Sequence, residues 1–315
     1  SWELNRKLEM AVELGFWNDR FLLVANFFRN RSGNQLIRYA LPAQAGFSSV
    51  MQNFEATIQN QGWEISINTS NVEKPNLQWN TGFHLTRPRN QLLSFPGLAS
   101  SSYASTYEVG QPMNLIRAYH WIGLDPLTGT YQFEDLNKDG QLSLADFKLA
   151  GQLSPSFYGG LSNTLRYKSW ELTAFVEYRK QKGKNYLSSL LPFTPGRMFN
   201  QPTLVLDRWQ HPGDHAAFQR YTTSTQSSAY RAWNNLVASD AVFSDASFVR
   251  LKNLTVAWSL PEQWRHPFRM SLARLYMQAQ NLLTLTHYRG GDPESQNLFA
   301  LPPLRTVTFG AQLHF

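Results

Sequence analysis

The chain contains no cysteine. Neither a disulfide framework nor a thiolate metal site can be built from it. It also lacks any apolar run of about 18 residues, the length a membrane-crossing helix requires, and its mean hydropathy is -0.39. There is no nucleophile motif, no phosphate-cradling glycine loop and no His/Glu zinc signature, so no pattern points to an enzyme. Charge is not concentrated either. A net charge of +7 and a pI near 9.6 come from scattered basic residues, with no run that would track a nucleic acid, and none is expected as a partner. No linker or low-complexity tract divides the 315 residues, which are ample for a core or for many strands. Neither Met nor a signal peptide leads into Ser1-Trp2-Glu3; this start is expected to be a processed end or an internal point of a longer protein.

What is present is aromatic and alternating. Aromatics make up 14% of the chain, including ten Trp and thirteen Tyr. That fits the interfacial girdles of a transmembrane β-barrel, and equally a carbohydrate-binding surface. The chain ends on Val307, Phe309, Ala311, Leu313 and Phe315, interleaved with Thr308, Gly310, Gln312 and His314. Successive strand side chains point to opposite faces, so this is a strand with one apolar and one polar face. In a soluble protein such an exposed last strand invites aggregation; in a barrel the apolar face meets lipid. The same period recurs at Leu8 to Phe16, Trp63 to Asn68, Leu77 to Thr86, Trp170 to Arg179 and Leu254 to Leu260. These stretches of about 8 to 11 residues exceed the usual soluble strand of about five to six. Links near 17–20 and 168–169 are short, whereas polar stretches run over about 86–157 and 180–247. Short turns on one side and long loops on the other mark an outer-membrane barrel. Strands enough for roughly a dozen are expected, with Val307, Phe309, Ala311, Leu313 and Phe315 facing outward and the Leu8–Phe16 strand pairing outside these 315 residues. Pro261 and Pro302 are expected at strand ends or turns.

One segment carries recognisable chemistry. Asp135-Leu136-Asn137-Lys138-Asp139-Gly140-Gln141-Leu142-Ser143-Leu144-Ala145-Asp146 follows the first half of the calcium loop D-x-N-x-D-G. Asp135, Asn137 and Asp139 would supply side-chain oxygens, Gly140 the sharp turn and Gln141 its carbonyl. Asp146 stands where a bidentate Glu is usual, and its shorter arm argues against a tight helix-loop-helix site. An all-oxygen donor set favours Ca2+; the other reading is a hydrated Asp/Asn turn. His211-Pro212-Gly213-Asp214-His215 has a metal-like histidine spacing but reads as a loop. Gly290-Gly291-Asp292-Pro293-Glu294 reads first as a turn.

Several segments, in order, resemble the carboxyl-terminal part of SusC/RagA-type TonB-linked outer-membrane proteins of Bacteroidota. They are Ser1-Trp2-Glu3, Leu41 to Phe47, Asn60-Gln61-Gly62-Trp63-Glu64, Gly123 to Gly129, Pro155 to Leu161, Ala246 to Thr255, Leu260-Pro261, Gln280-Asn281-Leu282 and Tyr288 to Glu294. Trp63 and Phe248 depart from the family's commoner smaller or tyrosyl residues. The resemblance implies an all-β antiparallel transmembrane barrel of about 22 strands, of which residues 1–315 would be the carboxyl-terminal part, with the plug and the TonB-contacting segment outside them. It implies import of glycans or peptides captured with a SusD-like surface lipoprotein. A scaffolding barrel within a larger outer-membrane complex, and a soluble β-rich glycan-binding module, are the alternatives.

Overall fold

The computed structural model describes residues 2–40, 44, 46–188, 193–297 and 299–315. Of the segments singled out above, Ser1, Leu41, Pro42, Ala43 and Ala45 lie outside the described residues. The strands, in chain order, are β1 (Leu4–Phe16), β2 (Phe21–Gly33), β3 (Gln35–Ala40), β4 (Ser49–Phe54), β5 (Thr57–Lys74), β6 (Leu77–Ser94), β7 (Leu115–Ala118), β8 (Trp121–Leu124), β9 (Tyr131–Phe133), β10 (Lys148–Gln152), β11 (Phe157–Tyr167), β12 (Trp170–Lys180), β13 (Lys182–Lys184), β14 (Phe243–Asp245), β15 (Phe248–Ser259), β16 (Leu272–Thr286) and β17 (Thr306–His314). Among the described residues, nine of them form one sheet in the order β1-β2-β5-β6-β11-β12-β15-β16-β17. Every neighbouring pair in it is antiparallel. The rest pair two by two in the connections, which is why the sheet falls short of the dozen strands that alternation suggested.

The two-residue period sorts the side chains cleanly. One cross-strand row runs Leu14, Leu23, Ile67, Phe83, Leu161, Val176, Leu251, Leu283. The adjacent row on the other face runs Glu13, Val24, Ser66, His84, Gly160, Glu177, Arg250, Thr284. On β17, Phe309 lies opposite Met277 and Gln312 opposite Arg274, so the final strand has the expected register, with Phe309 75% exposed on the apolar face. β1 and β17 are the two edges and do not pair with each other. The sheet is therefore open in this chain, as expected of a barrel portion.

The strands run longer than alternation indicated; β5 and β6 each span 18 residues. Beyond Trp63 and Arg87 the pair continues through Gln59, Asn60, Gln61, Arg89, Asn90 and Gln91, polar on both faces. Backbone pairing needs no apolar face, so a hydropathy pattern cannot see this extension. Pro88 lies within it, past Thr86, the last β6 residue that β11 pairs with. No bond to β11 is lost there, which makes a mid-strand proline tolerable.

Connections at one end of the sheet are 17–20, 75–76, 168–169 and 260–271; at the other they are 34–56, 95–156, 181–247 and 287–305. The first turn uses left-handed residues, Trp17, Asn18 and Asp19 at φ 55, 55 and 61. The long connections build a layer with its own core. Helix α1 (Ser228–Val237) is capped by Ser227, whose hydroxyl accepts from the Tyr230 N–H at 3.1 Å. Its buried face sets Trp233 and Leu236 against Tyr131, Val205 and Phe218. We expect Trp233→Ala to cost about 3–5 kcal/mol within this layer. Hydrogen exchange should rise across 228–237 while the strands stay protected; unchanged exchange would mean α1 is held by something else.

Candidate functional site

Three polar arrangements stand out, and all lie on the sheet's polar face or in the long-connection layer. The first is a groove of about 450 Å³ against β1, β2 and β5, lined by Glu9, Asn26, Phe28, Asn30 and Glu64 among others. By register, these five share the polar face. The Oδ1 atom of Asn30 is buried without a hydrogen-bond partner. The next strand completes a run of amides, with Asn90 Nδ2 donating to Asn60 Oδ1 at 2.7 Å. Gly62 is required here by close approach: a Cβ would lie 2.8 Å from the Phe28 ring and from the Arg87 carbonyl. Asn60, Gly62 and Glu64, which carried part of the family resemblance, thus share one wall. Two carboxylates, several amides and one ring can hold a polar chain by hydrogen bonds and ring contact.

The second arrangement is an ion cluster. Arg250 on β15 is 1% exposed. Its Nη2 donates to Asp292, its Nη1 to Glu294 at 2.7 Å and its Nε to Thr284 Oγ1 at 2.9 Å. Lys252 joins Glu294 to Glu177, both at 3.0 Å, and Glu177 takes Arg179 at 3.1 Å. The Asp292 carboxylate also accepts the N–H groups of Glu294 and Ser295, each at 3.0 Å. Gln181 Nε2 donates to the Pro293 carbonyl at 2.7 Å. Gly290–Glu294 is therefore a turn, as expected, and in addition the clasp that draws the last long connection onto the polar wall. Each half was visible in the sequence; their pairing across 42 residues was not.

The third is the Asp-rich loop between β9 and β10. Asp135 Oδ1 accepts the Lys138 N–H at 2.8 Å and Oδ2 the Gly140 N–H at 2.9 Å. Asn137 and Asp139 bond each other, and Asp139 Oδ1 accepts the Gln141 N–H at 2.7 Å. Gly140 holds φ 78 with open space where a side chain would stand. Asp146 is fully buried; it accepts Leu136 N–H at 2.9 Å and Ser143 N–H at 2.8 Å, tying the loop's end to its start. The Ser143 N–H chiefly holds its carboxyl below the usual carboxylate range; burial pushes the other way, and the Asn137 and Leu136 N–H groups add to the lowering. Among the described residues, no three His, Asp or Glu side chains gather as a metal site. The structure brings Asp135, Asn137, Asp139, Gln141 and Asp146 into one knot whose oxygens serve the loop's own N–H groups. His211–His215 is a turn in which Asp214 accepts the Gln210 and His211 N–H groups at 2.9 and 2.8 Å.

No family model matches the chain. Curated relatives do. It is 26% identical over 355 residues to "TonB-dependent receptor P3" of Formosa agariphila, covering 100% of the chain and 34% of that protein. It is 20% identical over 344 residues to "TonB-dependent receptor SusC" of Bacteroides thetaiotaomicron, covering 100% of the chain and 32% of that protein. Among solved structures, the RagAB peptide transporter superposes with a TM-score of 0.82 at 23% identity, over 99% of the chain and 35% of that one. The chain thus spans about a third of the length of the curated relatives it matches.

Replacing Arg250 by Met should be severe, because it removes the cation from the buried Asp292 and leaves Glu294 with Lys252 alone. We expect a loss of about 3–5 kcal/mol, read as a lowered unfolding midpoint and as proteolytic opening of 287–305. A variant with unchanged midpoint and unchanged cleavage would show that the clasp is not a stabilising contact.

Proposed function

We propose that this chain, which matches SusC- and RagA-type proteins along its whole length and spans about a third of theirs, is the carboxyl-terminal part of such a receptor and forms one wall of an outer-membrane barrel that imports oligomeric nutrients, glycan or peptide, on energisation by TonB. The plug, the TonB-contacting segment and the remaining strands belong, in this reading, to the rest of a longer protein. The observation that carries it is the sheet itself: over the turn-side part of its nine strands one face is apolar and the other polar, with turns at one end and long connections at the other. The apolar face suits lipid, and the polar face, with its groove at Glu9, Asn30 and Glu64, suits the lumen. The long-connection layer would meet a SusD-like surface lipoprotein. Mechanism on this reading is binding and gated passage; no bond is made or broken.

Affinity purification of the full-length protein from its outer membrane tests this. A co-purifying surface lipoprotein, and TonB-dependent uptake of an oligomer that falls at least several-fold with Glu9→Gln/Glu64→Gln, are expected. A stable complex with no uptake of any oligomer would instead favour the scaffolding barrel. Extraction without detergent would favour the soluble glycan-binding module and sink the membrane reading.

The Asp135–Asp146 loop supports a second, structural reading: that it takes Ca2+. The donors are all oxygen, and each carboxylate oxygen that accepts one N–H keeps lone-pair capacity. Asp135, Asn137, Asp139, the Gln141 carbonyl and Asp146 would hold the ion; when bound it would neutralise the loop's charge and stiffen it. Since the Asp146 pKa is lowered in the folded loop, its contribution is present above the ordinary Asp value of about 3.9 and is lost as pH falls through the lowered one. Calorimetry should show calcium binding at neutral pH, with EDTA-reversible stabilisation that fades on acidification. Absence of binding at millimolar calcium would leave the loop a self-satisfied turn.

A further inference from the structure

The outward rows of β1, β2, β5 and β6 change character abruptly. From the turn end they run through Leu14, Leu23, Ile67 and Phe83 to Val12, Ala25, Ile65 and Leu85. The next row is Met10, Phe27, Trp63, Arg87, in which the Phe27 and Trp63 rings lie 5.0 Å apart. Beyond it the rows read Leu8, Arg29, Gln61, Arg89 and then Arg6, Arg31, Gln59, Gln91. Five arginines therefore stand together on the apolar side of the sheet, just past an aromatic pair, at the long-connection end.

Among the described residues no carboxylate pairs with that charge. No outward position of these four strands carries Asp or Glu; Glu9, Glu13 and Glu64 fall on the other face by alternation. None of the five is among the ion pairs of the described residues. Arg6 and Arg31 are direct cross-strand partners, a placement that destabilises a sheet when like charges face each other. Arg31 Nε donates to Gln59 Oε1 at 2.6 Å, a neutral partner that leaves its charge unpaired among the described residues. Arg6, Arg31, Arg87 and Arg89 are exposed.

Height decides what could meet them. From Phe21 to Arg31 the strand advances about 34 Å at roughly 3.4 Å per residue, or about 26 Å of height at a barrel tilt near 40°. That is the depth of an apolar band about 25 Å tall, so Arg6 and Arg31 fall in the headgroup layer of the loop-side leaflet, and Arg29, Arg87 and Arg89 reach toward it from below on long side chains. Guanidinium groups there match phosphate in a forked, bidentate geometry. We propose that Arg6, Arg29, Arg31, Arg87 and Arg89 form an outward-facing site for the phosphate groups of an anionic glycolipid headgroup in that leaflet. The proposal rests on the membrane reading and adds a lipid ligand to it.

The test uses the full-length protein in mild detergent and native mass spectrometry. The probes are lipid A with its phosphates, the same lipid after phosphatase treatment, and inorganic phosphate. At least tenfold tighter retention of the phosphorylated lipid is expected. R29Q/R31Q/R87Q/R89Q, which extends the glutamines already present on β5, should abolish that preference. Equal retention of the two lipids by the unaltered protein overturns the proposal and needs no variant. So does displacement of the phosphorylated lipid by millimolar inorganic phosphate, which would make this a free-anion site. A quadruple variant that keeps the preference but loses a co-purifying lipoprotein would assign the patch to a protein interface and equally overturn it. Failure of the membrane reading would show separately, as extraction without detergent.

Discussion

A β-strand cannot satisfy its own backbone, and the rest of this structure depends on that constraint. In lipid, where we propose this sheet sits, there is no water to complete an unpaired N–H or C=O, so every strand must find a neighbour on both sides. Eight antiparallel junctions meet this demand within the sheet and leave only the outer edges of β1 and β17 open. Because pairing also locks register, a single slip would exchange the faces of a whole strand. The agreement of the apolar row across eight strands, from Leu14 to Leu283, shows that it has not.

The connections follow from the same geometry. Antiparallel neighbours can be joined by a few residues, and at one end they are. At the other end the chain spends long segments on a layer that could not stand without its own core, supplied by Trp233, Leu236, Tyr131 and Phe218. That layer is tied to the wall by charge at Arg250 and by an apolar cluster in which Ile58 of β5 and Leu92 of β6 gather with Phe95, Leu98, Tyr103 and Met113. Each of the three guanidinium nitrogens of Arg250 donates, to Thr284, Glu294 and Asp292, and two of those partners are carboxylates, so the buried cation is tolerated.

The Asp-rich loop is a motif whose oxygens also organise the backbone around them. Spacing put oxygens at the right positions, and Gly140 does make the left-handed turn. The folded loop turns those oxygens on its own N–H groups, with Asp146 closing the ends. Which backbone N–H groups a loop's oxygens accept is a matter of local conformation that residue order alone does not encode.

Strand periodicity, the two faces, the turn-and-loop asymmetry and the register of the last strand were all legible along the chain, because alternation is a local property with a period of two. The pairing order of distant strands, the continuation of β5 and β6 past their apolar portion, the reach from Arg250 to Asp292 and the gathering of Arg6, Arg29, Arg31, Arg87 and Arg89 on one outward patch were decided only in three dimensions. Each depends on which strand lies beside which, and that is set by hydrogen bonds between segments tens of residues apart, where no local pattern can record the partner.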